Sequence, residues 1–178
     1  MRRSSAIAGT TGSKGGMDGF SPDGFITDQD CFEDYRYRTM QASINGCGPI
    51  AVYNILHALG QTPELTALLR EMEALHRVQR PGPTTMRAMR AYLEKHLPAM
   101  REHPGRDAAF AAALRARMGI LRYSEDGVPH FVSFFRSGGG FRFFNVNDGL
   151  EDYVCSMEGF FERHIDRVHY VSVFTLED

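Results

Sequence analysis

The chain has 178 residues, of which 43% are hydrophobic and 24% are charged, and this is the composition of one ordinary globular domain. The formal net charge of −2, without a basic tract, argues against nucleic acid or an anionic membrane surface as a partner. No apolar stretch is long enough to span a bilayer, and no signal-peptide segment follows Met1-Arg2-Arg3. We therefore expect a cytoplasmic protein with no membrane segment.

The first 24 residues differ in composition from the rest of the chain. They are rich in glycine and serine and poor in apolar side chains, as in Gly12-Ser13-Lys14-Gly15-Gly16. Such a segment buries too little apolar surface to offset its loss of conformational entropy. We predict a disordered tail over residues 1–24 and one folded domain over residues 25–178.

Apolar residues recur with helical spacing between about residues 47 and 118. The first predicted helix begins at Cys47, and the second follows Thr62, which is placed to cap it. A third helix is predicted to start at residue 84 or 85, and a fourth lies in the alanine-rich stretch that follows. These segments predict a helical N-terminal half.

After Gly119 the apolar spacing changes to the period of two that is typical of strands. The predicted strands cover residues 120–123, 130–135, 141–147 and 168–174. The second and third of them flank a glycine-rich turn and predict a hairpin. A helical half followed by an antiparallel half predicts an α+β domain with a site in the cleft between the halves.

Cys47 is the candidate nucleophile. It lies between Gly46 and Gly48 at the predicted start of a helix, where the helix dipole lowers the pKa of a thiol. A cysteine that only packs as a small apolar side chain is the commoner case, and the flanking glycines argue against it here. Cys31 follows the acidic run Asp-Gln-Asp, which disfavours a thiolate, and Cys155 begins no apolar helix.

Two further residues would complete the chemistry of a thiol nucleophile. Gln41 precedes Cys47 by six residues, and its amide could donate, with the Cys47 backbone N–H, to the oxyanion of acyl transfer. His130 is the candidate base, because a following strand can return an orienting group beside it. His169 starts a similar strand but has no further strand after it.

The strand after His130 supplies three candidates for orienting the imidazole, namely Asn145, Asn147 and Asp148. In a regular strand Asn145 and Asn147 point to one face and Asp148 points to the other. Residues 147–149 are equally well suited to a turn. Spacing alone therefore leaves the choice open.

The cysteines and histidines show no pattern of a metal site. The three cysteines are an odd number in a chain too long to need disulfides, so we expect reduced thiols. There is no Cys-x-x-Cys pair, zinc-ligand spacing or His-Glu-x-x-His sequence. We expect neither a metal nor an organic cofactor.

From about Tyr37 to Leu176 the chain resembles a family of papain-like peptidases. These are the double-glycine leader peptidases, which are fused to bacteriocin-exporting ABC transporters, and their stand-alone relatives. Gln41, Cys47-Gly48 and His130-Phe-Val match the family's oxyanion glutamine, nucleophile and base motifs. The resemblance implies a papain-like fold, in which the nucleophile helix of the N-terminal half packs on a C-terminal antiparallel sheet.

The resemblance also bears on the orienting residue. The family's strand-end Asp-Pro corresponds to Asp148-Gly149, which favours Asp148 over Asn147. Two features depart from the family pattern: glycine replaces the proline, and the hairpin turn at residues 137–140 is slightly long. The chain has no transporter segment, so cleavage coupled to export is not implied.

Together these residues predict a bacterial cysteine peptidase. It would hydrolyse a peptide or isopeptide bond in a peptide or protein substrate through a thioester intermediate. A papain-like acyltransferase would form the same thioester and pass it to an amine instead of water. A catalytically silent peptide-binding module on the same scaffold is the alternative outside the enzymes.

Overall fold

A computed structural model describes residues 18–78, 80–125, 127–146 and 153–176. The helices are α1 (Ala42–Asn45), α2 (Cys47–Ala58), α3 (Leu65–Ala74), α4 (Met86–His96), α5 (Arg106–Arg115) and α6 (Met157–His164), with a 3₁₀ turn at Gln29–Phe32. The strands are β1 (Arg36–Tyr37), β2 (Met40–Gln41), β3 (Arg101–Pro104), β4 (Met118–Glu125), β5 (Val128–Ser137), β6 (Gly140–Phe144), β7 (Tyr153–Cys155) and β8 (Ser172–Leu176). Helices combined with antiparallel strands confirm the α+β class.

Strands β3 to β8 form one sheet in the order β3-β8-β4-β5-β6-β7, and each neighbouring pair is antiparallel. β4 and β5 are the central pair, and their register runs from Met118 opposite Phe135 to Glu125 opposite Val128. β5 and β6 form the hairpin that the glycine-rich turn predicts. Period-two spacing does not reveal β3 and β7, because these edge strands have only four and three residues.

Helices cover both faces of the sheet. On one face, α2, α3 and α4 form a core with Ile120 and Phe131. On the other face, α6 places Phe160 against Phe143 of β6, with ring centroids 3.9 Å apart. Since β5 is covered on both sides, Phe131 and Val132 are both fully buried, which explains its nearly continuous apolar sequence.

The helical half is smaller than the sequence predicts, because α5 belongs to the second layer. Its short side chains Ala109, Ala112 and Ala113 are buried in the cluster that contains Leu121 and Val173 of the sheet. Helical spacing shows that a helix has a buried face, but it does not say which layer that face contacts. The alanine-rich composition reflects close approach to the sheet.

Capping groups determine where two of the helices begin. α4 starts at Met86, next to the start predicted at residue 84 or 85, and the Thr85 hydroxyl caps it by accepting a hydrogen bond from the Ala88 N–H at 3.2 Å. α3 starts at Leu65 and not directly after Thr62. The Glu64 carboxylate takes the capping position there and accepts from two backbone N–H groups of the first turn.

Residues 18–35 form an N-terminal arm that contacts both the helices and the sheet. Ile26 donates its backbone N–H to the Asn54 side chain of α2 at 2.8 Å and accepts from it at 2.9 Å. Asp23 pairs with Arg142 of β6 at 2.5 Å. Residues 18–24, which composition groups with the tail, therefore lie against the domain.

Candidate active site

Cys47 is the first residue of α2, as the sequence predicts. The preceding turn α1 ends at Gly46, whose N–H donates to the Ala42 carbonyl at 2.7 Å. A Cβ on Gly46 would lie 2.4 Å from that oxygen, so glycine is required for the chain to turn this tightly. The turn places Cys47 at the positive end of a 12-residue helix.

The surroundings of Cys47 are tightly packed. Cys47 is 3% exposed and belongs to the apolar cluster that contains Ile50 and Phe131. A Cβ on Gly48 would lie 2.3 Å from Thr84 Oγ1. The segment that precedes α4 therefore packs directly on the residue after the candidate nucleophile.

Gln41 is the last residue of β2 and directly precedes α1. Its side chain is half-buried and makes no capping hydrogen bond with that turn. Because a helix rises only about 1.5 Å per residue, the intervening turn keeps Gln41 close to Cys47 along the chain. The oxyanion role of its amide stays a prediction.

His130 is buried near the start of β5. Its Nε2 lies 2.7 Å from the backbone oxygen of Asn145, and since a carbonyl only accepts, Nε2 carries a proton. Tyr123, its partner on β4, packs edge-on against the imidazole with ring centroids 5.7 Å apart. Both contacts restrict the orientation of the ring.

Asn145 supports His130 through its backbone rather than its side chain. It has a φ of 62°, a left-handed conformation that asparagine tolerates better than most residues. β6 therefore ends at Phe144, and the strand predicted over residues 141–147 is wrong at residues 145–146, while residue 147 lies outside the described residues. The Asn145 side chain instead accepts from the Gln29 N–H at 3.0 Å and donates to Gln29 Oε1 at 2.9 Å.

Gln29 connects the histidine side of the site with the cysteine side. Its Nε2 donates to the Ser43 carbonyl of α1 at 2.8 Å, so one side chain reaches both Asn145 and the turn before Cys47. Sequence reasoning missed Gln29, because its partner Asn145 lies 116 residues away. The aromatic and polar character of the arm was the only signal in the sequence.

The two residues with the strongest predicted orienting role, Asn147 and Asp148, lie outside the described residues. The structure thus brings Asn145 to His130 and leaves the roles of Asn147 and Asp148 as predictions.

A buried polar network lies beside Cys47 on the helical side. Tyr37 contacts His76 Nε2 at 3.0 Å and Thr84 Oγ1 at 2.9 Å through its hydroxyl. Burial raises the pKa of Tyr37, the hydrogen bond with Thr84 opposes this shift, and a charged Cys47 would add to it. Burial, followed by the charge of Arg38, lowers the pKa of His76 to about 4, so this histidine is neutral at pH 7.

The other thiols and the rival histidine have different surroundings. Burial, followed by the charge of Asp28, raises the pKa of Cys31, and burial raises the pKa of Cys155. Both shifts disfavour a thiolate. His169 lies in an exposed turn before β8, with its Nδ1 2.6 Å from a carboxylate oxygen of Asp166.

The described residues contain no group of three His, Cys, Asp or Glu side chains arranged to hold a metal ion. Within the same residues, no helix combines the length and apolar character needed to cross a bilayer.

Neither a scan against protein-family models nor a search of curated proteins finds a match to this chain.

Proposed function

We propose that the protein is a papain-like cysteine peptidase that hydrolyses a peptide or isopeptide bond. The observation that best supports this is a cysteine that begins a helix packed on the strand of a buried, hydrogen-bonded histidine. Asn54 of that helix donates to Ser133 of the strand at 3.1 Å and ties the two elements together. The resemblance to double-glycine leader peptidases agrees with the order of these residues.

In the proposed reaction, Cys47 Sγ gives its proton to His130 and attacks the substrate carbonyl carbon. In a neutral His130 with its proton on Nε2, the lone pair is on Nδ1, and this nitrogen would accept the thiol proton. The Gln41 amide and the Cys47 backbone N–H would donate hydrogen bonds to the oxyanion.

Two steps would complete the cycle. Collapse of the tetrahedral intermediate breaks the C–N bond, and the imidazolium protonates the leaving amine, which leaves a thioester on Cys47. His130 then removes a proton from water, which attacks the thioester and releases a carboxylic acid and the thiol.

The His130 imidazolium needs an acceptor on Nε2 throughout this cycle. The Asn145 carbonyl, 2.7 Å away, supplies one. In the proposed papain-like geometry, the side chain of Asp148, or of Asn147 in its place, would be a second acceptor that shares this one N–H. Asp148→Ala and Asn147→Ala, assayed separately, would show which of the two contributes.

Hydrolysis of a peptide library by the full chain tests the proposal. Cys47→Ser and His130→Ala should each lower kcat/KM by about 10⁶-fold, whereas the matched thiol variants Cys31→Ser and Cys155→Ser should retain activity. Circular dichroism should show that all four variants are folded. Equal loss in Cys47→Ser and Cys31→Ser would contradict the assignment of the nucleophile.

Two alternatives give different outcomes in the same assay. An acyltransferase would form an amide when a primary amine competes with water, and mass spectrometry would detect that product. A silent peptide-binding module is favoured by the low exposure of Cys47, 3%. It would show no turnover, and iodoacetamide would label Cys47 no faster than Cys31 and Cys155.

A further inference from the structure

A cleft of about 410 Å³ lies beside the candidate site, and we call it the arginine cleft. It is lined by residues 80–86, Arg38, Arg122 and Pro129. Pro129 directly precedes His130 in β5, and residues 80–86 include Thr84, which packs on the residue after Cys47. The cleft therefore lies close to the start of α2, where Cys47 is, and one residue along β5 from His130.

The three arginines of this cleft have no carboxylate partner among the described residues. Arg38 is 4% exposed, donates to the carbonyl oxygens of residues 82–83, and has a buried Nε without a partner. Arg122 donates to the Tyr170 carbonyl, and its guanidinium carbon lies 5.0 Å from the centroid of the Tyr170 ring. Arg80 is exposed at the rim.

Two arginines outside the cleft, in contrast, pair with carboxylates. Arg90 forms two hydrogen bonds to the Glu102 carboxylate, at 2.5 and 2.8 Å, and Arg142 pairs with Asp23. The chain as a whole has a net charge of −2. The cleft has three arginines and no Asp or Glu among its lining residues, so it is a local site that attracts anions. Guanidinium groups match carboxylates in shape and charge.

Backbone strain helps to place one of these cations. Arg38 and Thr39 form the two-residue turn between β1 and β2, with φ values of 51° and 67°. A β-branched residue such as Thr39 rarely adopts this conformation. Burying the Arg38 guanidinium against neutral carbonyls also carries a desolvation cost, which an anionic ligand in the cleft would offset.

We propose that the arginine cleft binds a carboxylate of the substrate. The carboxylate is either an acidic side chain next to the scissile bond or the C-terminal carboxylate of a peptide. This inference rests on the proposed function, because it assigns the charge of a substrate to a surface that adjoins Cys47 and His130.

Alkylation of Cys47 tests the charge of the cleft without requiring catalysis. Iodoacetate and iodoacetamide react with a thiol in the same way, but only iodoacetate carries a carboxylate. The rate of Cys47 alkylation by iodoacetate divided by the rate by iodoacetamide, followed by mass spectrometry, should fall by about threefold for each of Arg80→Gln and Arg122→Gln. Arg115→Gln on α5, which removes an exposed charge outside the cleft, should leave the ratio unchanged.

Peptide binding to the Cys47→Ser chain distinguishes the two sources of the carboxylate. Fluorescent hexapeptide libraries would carry Glu or Gln at each position in turn, with a free or an amidated C-terminus. Tighter binding of Glu peptides assigns an acidic side chain, and tighter binding of free C-termini assigns the terminal carboxylate. Either preference should be lost in Arg80→Gln/Arg122→Gln. Equal binding of all four sets, or an unchanged alkylation ratio, would overturn the proposal.

The two proposals fail in different ways. Hydrolysis by the unmodified chain with no preference for carboxylates would refute the cleft and keep the peptidase. Carboxylate-dependent binding without hydrolysis would refute the peptidase and keep the cleft as the site of a binding module.

Discussion

The two sides of the candidate active site are stabilised by contacts of different range. On the cysteine side, Gly46 and Gly48 permit a tight turn and a close approach of Thr84 to the start of α2. On the histidine side, His130 depends on Asn145, which depends in turn on Gln29, 116 residues away. A change on the cysteine side should therefore act through local packing, whereas one on the histidine side should act through the docking of the arm.

The largest effect should come from Asn145→Ala, which breaks the histidine side. It puts alanine at a φ of 62° and leaves the Gln29 backbone N–H and Oε1 without their partner. Strain and unpaired buried groups together should lower the free energy of unfolding by about 3 kcal/mol. Urea denaturation measures this loss, and the rate of Cys47 alkylation reports the effect on the site.

Two further variants separate the causes of that loss. Asn145→Gly keeps a residue suited to positive φ and removes only the side chain, so it should be milder than Asn145→Ala. Gln29→Ala removes the acceptor of the Asn145 side-chain amide without altering the Asn145 backbone. If the main role of Gln29 is to orient His130, kcat/KM should fall strongly while the free energy of unfolding changes little. Equal stability of Asn145→Ala and the unmodified chain would disprove the long-range support.

Gly48→Ala perturbs the cysteine side and should be the next largest change. The added Cβ would lie 2.3 Å from Thr84 Oγ1 and 2.5 Å from Thr84 Cβ, so residues 80–86 must shift. Overpacking of this kind costs about 2 kcal/mol, measurable by urea denaturation. Gly139→Ala is the matched control, since its Cβ would have nothing within 4 Å and should be nearly neutral.

His76 should make the stability of the cysteine side depend on pH. Its pKa is about 4 in the folded protein, against 6.5 as the ordinary value, so the unfolded chain binds more protons between these values. The His76 contribution to stability should therefore be fully present above about pH 6.5 and fall by roughly 3 kcal/mol as the pH drops to 4. The difference from His76→Gln, titrated in parallel, isolates this contribution from that of the carboxylates. If the free energies of unfolding of the unmodified chain and of His76→Gln changed in parallel with pH, the predicted contribution of His76 would be contradicted.

The smallest effect should come from Asp23→Asn in the arm. The hydrogen bond from Arg142 holds the pKa of Asp23 at about 2, but the Asp23 side chain is 50% exposed. Solvent screening limits such a pair to about 0.5 kcal/mol, and 1 M salt should remove most of it. A loss as large as that of Asn145→Ala would mean that the arm is held mainly by charge.

The same difference in range explains which features the sequence could predict. The start of α2 at Cys47 is confirmed, and α4 begins at Met86, next to the start predicted at residue 84 or 85. Both boundaries depend on residues within one helical turn. Contacts with groups far along the chain determine which side of the sheet α5 packs on and the left-handed conformation of Asn145. A periodic pattern contains no information about such contacts. The roles of Gln41, His130 and Asp148 in catalysis remain predictions that the proposed assays test.

The bond between Gln29 and Asn145 also has a consequence for biosynthesis. Contacts between residues 116 positions apart form late in folding, because the long intervening loop must first be closed. While the chain emerges from the ribosome, the helix that carries Cys47 can form long before His130 acquires its support. The nascent protein would then carry the Cys47 thiol without an oriented His130, and the proposed peptidase activity would appear only after the chain has folded around both residues.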